Sequence, residues 1–228
     1  MTNAVFSCPD LTGDTVLLDG PEGRHAALVK RVRVGEELDL VDGRGTRATG
    51  TVSATTRDTV TVDVLRRALE PAPSPRLTVV QALAKGDRGE LAVELMTEVG
   101  VDVIVPWAAS RCVAKWTEKS LQRWRSTAHE SAKQARRAWF PQVTDVVSTA
   151  DVAAMPDLLL LHEEATTPLA SLDLAGDVVL VVGPEGGISP QELHALGGTA
   201  VRLGPTVLRT STAGAAAAAV VSAQLGRW

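Results

Sequence analysis

Three short runs that predict strands lie in the C-terminal part of the chain, and each is followed by a loop whose residues could do chemistry. The runs and their loops are Leu158–Leu161 before His162-Glu163-Glu164, Val178–Val182 before residues 183–188 (GPEGGI), and residues 200–203 before residues 204–212 (GPTVLRTST). The first two are continuous apolar runs, which are typical of strands that are covered on both faces of a parallel sheet. Because ligands of open α/β sheets bind beyond the carboxyl ends of the strands, the three loops together predict one ligand-binding edge.

The loop at residues 183–188 carries the sharpest signal. Its three glycines let the backbone approach a ligand closely and adopt positive φ angles. Ser189, Pro190 and Glu192 then follow in the order of an N-cap, a first helical residue and the acid of a capping box. Taken alone, this pattern favours a cofactor loop and a well-capped turn without a ligand equally.

Familiar fingerprints of other enzyme classes are absent from the sequence. There is no G-x-x-x-x-G-K-[ST], no G-x-G-x-x-G after a strand and no G-x-S-x-G. The histidines and cysteines also lack metal-ligand spacing: His25, His129, His162, His194, Cys8 and Cys112. We therefore predict no metal site, and two isolated cysteines are typical of a reducing compartment.

A proline-rich stretch at residues 71–75 divides the chain into two predicted domains. Residues 1–70 contain short Val-rich runs between turn residues, which predict a small β-barrel with one short helix at 25–31. The predicted strands there are Thr15–Leu18, Glu37–Val41, 48–52 and 59–64. Residues 76–228 alternate strand and helix, which predicts an α/β domain. Its further strands are Leu77–Ala82 and 101–106, and its helices are 87–99, 120–137 and 212–224.

Two of these helices carry apolar stripes that predict their buried faces. In the first helix, Leu91, Leu95 and Val99 recur at intervals of four residues. In the second, Trp124 lies on the stripe of apolar residues, so we expect it in the core rather than against a ligand.

Net charge is uneven along the chain. Residues 1–75 carry 9 basic and 11 acidic side chains, residues 76–142 carry 11 and 7, and residues 143–228 carry 3 and 9. Within this basic middle, residues 111–137 contain Trp116 and Trp124, with Trp139 just beyond them, and aromatic rings among cations can stack on unpaired bases. This segment therefore predicts contact with RNA. No apolar run reaches the roughly 18 residues of a membrane span and no secretory signal is visible, so we expect a cytoplasmic protein.

Four motifs in order give the sequence a family resemblance. They are Ala84-Lys85-Gly86-Asp87-Arg88, residues 94–101 (ELMTEVGV), residues 182–187 (VGPEGG) and residues 203–210 (LGPTVLRT). With residues 25–45, which look like a PUA-like barrel, they resemble the RsmE family over nearly the whole chain. These are bacterial 16S rRNA uridine-N3 methyltransferases of the SPOUT superfamily. Two positions depart from the family pattern: Ser211 stands where a Glu is common, and residues 1–10 contain no Lys or Arg.

The resemblance implies a fold, a cofactor and partners. The fold would be a PUA-like β-barrel followed by a SPOUT α/β domain with a C-terminal trefoil knot, in a homodimer that acts on 16S rRNA in the small ribosomal subunit. The cofactor would be S-adenosyl-L-methionine, without a metal. By resemblance its contacts fall on Leu161, His162, Gly183, Glu185, Gly186, Ile188, Leu203, Gly204, Leu208, Arg209 and Thr212.

The chemistry of uridine methylation suggests roles for the cations. N3 of uridine becomes nucleophilic only when its proton leaves, so a nearby cation that stabilises the anion would promote the reaction. Arg209 is the predicted catalytic residue for this role, or else a residue that binds phosphate or orders its loop. The predicted RNA-phosphate contacts are Lys85, Arg88, Arg111, Arg136 and Arg137. The alternatives are another SPOUT RNA methyltransferase, a non-catalytic ribosome-assembly protein, and a small-molecule α/β enzyme.

Overall fold

The structure is a computed structural model that describes residues 3–228, so the first two residues of the 1–10 segment lie outside the described part. The chain forms two compact units. The first comprises residues up to Ala72 together with Ala132–Phe140, and the second comprises Pro73–Ser131 and Pro141–Trp228. The predicted linker at 71–75 contains the boundary between Ala72 and Pro73. The 132–140 segment, which the sequence places in the second domain, groups with the first unit.

The first unit is built on a five-stranded mixed sheet. In chain order its strands are β1 (Ala4–Ser7), β2 (Thr15–Leu18), β3 (Glu37–Val41), β4 (Thr46–Thr55) and β5 (Val60–Leu69). They lie in the order β1-β3-β4-β5-β2, with only the β1–β3 pair parallel. β1 and β2 form the two edges, so the predicted barrel is open on one side. The inner face buries Phe6, Leu38, Leu40 and Val62 among other apolar side chains.

One helical stretch lies between β2 and β3 in the chain. It begins as α1 (Gly20–Arg24) and continues as a π-helix (His25–Lys30), which the left-handed Arg31 ends at φ 54°. The predicted helix at 25–31 is thus the second half of a longer element.

The segment 132–140 completes the first unit through aromatic packing. The indole Nε1 of Trp139 donates to the carbonyl of Glu70 at 3.0 Å, and the ring lies against Gly45. A Cβ on Gly45 would be only 2.7 Å from that ring, and the φ of Gly45 is 102°. Lys133 pairs with Glu22 although its side chain is almost fully buried.

The second unit is a six-stranded sheet in which every strand pair is parallel. Its strands are β6 (Leu77–Ala82), β7 (Val103–Trp107), β8 (Gln142–Val143), β9 (Leu158–Leu161), β10 (Val178–Val182) and β11 (Thr199–Val201). They lie in the order β11-β9-β10-β6-β7-β8. The carboxyl ends of β11, β9 and β10 are therefore neighbours, and these are the strands that precede the three loops of interest.

Helices cover both faces of this sheet. They are α2 (Arg88–Glu98), α3 (Glu118–Gln134), α4 (Thr149–Ala153), α5 (Pro190–Leu196) and α6 (Thr210–Gln224), with a short 3-10 turn at Leu169–Ser171. One face packs residues such as Met96, Trp124 and Val221 against the sheet, and the other packs Trp107 and Leu196. None of the helices within residues 3–228 is long and apolar enough to cross a membrane.

Two features of the helices differ from the sequence prediction. The predicted buried stripe of α2 is wrong at Leu91, which is 41% exposed, because Ala92, Val93 and Met96 form the inner face instead. α3 ends at Gln134 rather than at residue 137, because Arg136 adopts a left-handed conformation at φ 56°. The Arg137 amide then donates to the Ala132 carbonyl, which is a helix-ending arrangement that usually uses glycine.

The prediction for Trp124 is confirmed. Its side chain is 3% exposed and packs edge-to-face on Trp116, with ring centroids 5.0 Å apart. Trp116 itself is half-buried against the same core. With Trp139 packed on Gly45, none of these three rings stands free on the surface.

Candidate functional site

A cavity of about 730 Å³ lies at the carboxyl ends of β9, β10 and β11. Its walls come from the three loops that follow these strands, together with Arg88 and Arg111. This volume falls within the range of sites for small molecules and cofactors. The ligand-binding edge predicted from the three loops thus coincides with a cavity.

Most of the predicted cofactor contacts meet in this cavity. Ten of the eleven residues line it: Leu161, His162, Gly183, Glu185, Gly186, Ile188, Leu203, Gly204, Leu208 and Arg209. The eleventh, Thr212, lies in the first turn of α6, where its hydroxyl donates to the Arg209 carbonyl.

Other residues of the same loops extend the lining, and Leu193 of α5 and Ala213 of α6 add to it. The predicted list of individual cofactor contacts omitted Glu163, Glu164, Pro184, Gly187, Arg202, Pro205, Thr206 and Val207, although all of them except Arg202 lie in the three loops singled out from the sequence. Their place in the chain, next to predicted contacts, is the signal that could have found them.

The glycine-rich loop is held by residues from two distant loops. Arg111 donates from Nη1 to the Gly186 carbonyl at 2.8 Å, and the Lys85 amide donates to Oε1 of Glu185 at 3.3 Å. At the start of the loop a Cβ on Gly183 would lie 2.7 Å from the Ile188 side chain. Glycine there lets the loop fold back on itself, so its shape depends on contacts from 75 to 100 residues away.

Glu192 anchors the helix that follows this loop. The capping box predicted with Ser189 is present, and the carboxylate also accepts hydrogen bonds from the Ser110 amide and hydroxyl, both at 2.7 Å, and from the Thr149 hydroxyl. Burial of Glu192 raises its pKa, but the hydrogen bonds from Ser110 and Ser189 outweigh this and hold the pKa at about 2. The carboxylate therefore ties the loop after β7 and the start of α4 to α5. The sequence showed the capping box but gave no sign of Ser110.

The 204–209 loop offers backbone donors to a ligand. Within the described chain, the amides of Gly204, Thr206, Val207 and Leu208 donate to no protein acceptor, and all four residues are exposed. Arg209 follows as the N-cap of α6, and its exposed side chain lines the cavity without a hydrogen-bond partner among the described residues. The loop thus combines N–H groups that are available to a ligand with one exposed cation.

The predicted RNA-contacting cations belong to both units. Arg88 and Arg111 line the cavity, and exposed Lys85 adjoins the glycine-rich loop. Arg136 and Arg137 belong to the 132–140 segment of the first unit.

Several other cations of the basic middle segment already have partners. Arg123 pairs with Glu90 at 3.2 Å, and Arg125 pairs with Asp145 at 3.3 Å. The net charge of this segment therefore overstates the charge that it has free for a ligand. Among residues 3–228 no cluster of three metal-ligating side chains occurs.

The comparison with family models defines the class of protein. Residues 70–222 match the RNA methyltransferase domain, and residues 18–65 match the RNA methyltransferase PUA domain. The first match covers the whole cavity, and the second lies in the first unit.

Named relatives narrow this class to one family. The chain is 48% identical to ribosomal RNA small subunit methyltransferase E of Mycobacterium bovis, over 98% of this chain and 92% of that protein. Its identity to the Bacillus subtilis protein of the same name is 29%, over 92% and 90% of the two chains. A crystal structure of the Neisseria gonorrhoeae enzyme of that name, bound to S-adenosyl methionine, superposes with a TM-score of 0.88 at 27% identity over 98% of both chains. The chain belongs to the ribosomal RNA small subunit methyltransferase E family.

Proposed function

We propose that this protein methylates N3 of one uridine in 16S rRNA of the small ribosomal subunit, with S-adenosyl-L-methionine as the methyl donor. The observation that carries the proposal is the meeting of ten predicted cofactor contacts in a single cavity. The names of the relatives and the S-adenosyl methionine bound to the Neisseria gonorrhoeae enzyme support the same reaction class. The choice of N3 rests on the motif resemblance.

The cavity fits this cofactor in both its polar and its apolar parts. Leu161, Ile188 and Leu203 supply apolar walls for a flat base. The free amides of the 204–208 loop, which exclude Pro205, are available to its polar edges. The cofactor supplies a methyl group that is already activated on a sulfonium. What remains for the protein is to align the acceptor and to stabilise the charge that develops on it.

Arg209 is the residue that we propose for charge stabilisation. It stands at the N-terminus of the fifteen-residue helix α6, where the helix dipole adds partial positive charge. Both charges favour the anion that forms when N3 of uridine loses its proton, and the proton passes to solvent. Because the Arg209 side chain has no hydrogen-bond or ion-pair partner within residues 3–228, its guanidinium is available to the substrate.

The proposal includes an assembly and a location. The family resemblance supports a trefoil knot at the C-terminus and a homodimer. The PUA domain of the first unit would orient the RNA, and the target base would leave its stack so that its Watson–Crick edge is accessible. Because ribosomal subunits are the substrate, we place the protein in the cytoplasm.

The test is incubation of the purified protein with methyl-labelled S-adenosylmethionine and small subunits from cells that lack the enzyme. Methylation of N3 blocks the Watson–Crick edge, so reverse transcription should stop at one uridine of 16S rRNA. Label in tRNA or at another base would show a different RNA methyltransferase. Binding of RNA without transfer of label would identify a non-catalytic assembly protein.

A further inference from the structure

The cations of the first unit divide into engaged and free groups. Arg47 pairs with Asp39 and Glu70, and Arg67 binds backbone carbonyls and Asp14. By contrast, four exposed cations within ten residues have no ion-pair or hydrogen-bond partner for their side chains among the described residues. These four residues, here called the 24–33 patch, are Arg24, Lys30, Arg31 and Arg33.

The helical stretch that carries the patch is held firmly on the sheet. A Cβ on Gly23 would lie 2.5 Å from the carbonyl oxygens of Leu18 and Asp58, and Ala26 is fully buried. Inward-facing small residues thus fix the stretch. At about 1.5 Å per residue, Arg24 and Lys30 are separated by only about 9 Å along the axis.

Apolar side chains are exposed among these cations. Leu28, Val29 and Val34 are 48%, 67% and 60% exposed. Exposed apolar residues that lie close together and are bordered by polar side chains can mark an interaction surface. A π-helix, which is uncommon and often marks functional sites, forms the second half of this stretch.

We propose that the 24–33 patch is the surface by which the first unit binds the phosphate backbone of structured RNA. The proposal rests on the function proposed above, and the patch lies inside the 18–65 match to the PUA domain. Four unpaired cations complement a polyanion, whereas the net charge of residues 1–75 is negative and conceals them. Leu28 and Val29 pack against the sugars and bases next to the contacted phosphates.

The test compares two double variants that each remove two positive charges. R24Q/K30Q changes the patch, and R66Q/R76Q changes two exposed arginines outside it whose side chains also have no partner among the described residues. Binding to small ribosomal subunits is measured as a function of KCl concentration. Each lost phosphate contact lowers the slope of log K against log salt by about 0.7 to 0.9, so the patch variant should lose about 1.5 and the control should lose little.

Turnover separates this proposal from the function on which it rests. R24Q/K30Q should raise KM for the subunit and leave kcat and S-adenosylmethionine affinity unchanged, because the lost contacts are equal in ground and transition states. Equal salt slopes for the two variants would overturn the proposal that the 24–33 patch binds RNA. Methylation by the wild type would be unaffected by that result. Binding of the patch to anionic phosphatidylglycerol vesicles, with an unchanged RNA slope, would also overturn it. A wild type without methylation would instead contradict the proposed function.

Discussion

Nη1 of Arg111 and the carbonyl oxygen of Gly186 are joined by a 2.8 Å hydrogen bond that braces the glycine-rich loop from outside. The sequence had suggested Arg111 as a phosphate contact. The bond uses one of five guanidinium donors and gives the residue a role in holding the wall of the cavity.

Replacement of Arg111 by alanine should weaken cofactor binding. A hydrogen bond to a charged donor contributes about 1.5 kcal/mol or more, so the dissociation constant for S-adenosylmethionine should rise about tenfold or more in calorimetry. R88A is the matched control, because Arg88 lines the same cavity but has no side-chain partner among the described residues. Equal affinities for the two variants would remove the bracing role.

Glu192 should make unfolding depend on acid. Its folded-state pKa of about 2 lies below the ordinary 4.5, so its contribution to the free energy of unfolding is complete above pH 4.5 and is lost as the pH falls toward 2. The shift corresponds to about 3 kcal/mol at neutral pH, of which about 2 should disappear between pH 7 and pH 3.

Urea unfolding of wild type and E192Q at these two pH values measures this contribution. E192Q should be less stable at pH 7, and the difference between the two proteins should shrink at pH 3. A difference that stays constant with pH would show that the ionised carboxylate contributes nothing.

Arg209→Ala should separate catalysis from cofactor binding. Loss of the cation that stabilises the uridine anion should lower kcat about 100-fold or more, as removal of one oxyanion donor does in other enzymes. The dissociation constant for S-adenosylmethionine should change much less. R209K keeps the charge and should restore part of the rate in single-turnover assays. Full activity of R209A would exclude the role.

Gly45→Ala should destabilise the first unit. The new Cβ would meet the Trp139 ring at 2.7 Å in a backbone conformation that alanine rarely adopts, so we expect a loss of about 2 to 4 kcal/mol. G35A is the control, because Gly35 also has a positive φ of 89° but has nothing within 4 Å of its Cβ position. Chemical unfolding should show a smaller loss for G35A, and equal losses would mean that the ring contact adds nothing.

The sequence predicted several strands of the α/β unit well because they are short runs rich in apolar residues. Leu77–Ala82, Leu158–Leu161 and Val178–Val182 have the predicted bounds. Helix ends were harder, since the stop of α3 depends on a left-handed Arg136 that no residue preference indicates. The two-residue strand β8 and the short helix α4 carried too little pattern to be predicted.

The candidate site was predictable where it is local and not where it depends on tertiary contacts. The loops after β9, β10 and β11 carry their own signal of glycine and polar residues. Ser110 and Arg111 act on residues about 75 to 82 positions away, and a single sequence contains nothing that pairs them. The composition also does not show that cations such as Arg47 and Arg123 are already engaged in ion pairs with carboxylates.

Because residues 132–140 belong to the first unit, this unit cannot be complete early in synthesis of the chain. As the chain leaves the ribosome, residues 3–72 emerge without the Trp139 side chain that packs on Gly45 and without the Lys133 partner of Glu22. The first unit can be completed only after some sixty residues of the second have been made. Neither unit corresponds to one uninterrupted stretch of the gene. A fragment that ends at residue 72 therefore lacks part of the first unit and should represent the PUA domain poorly.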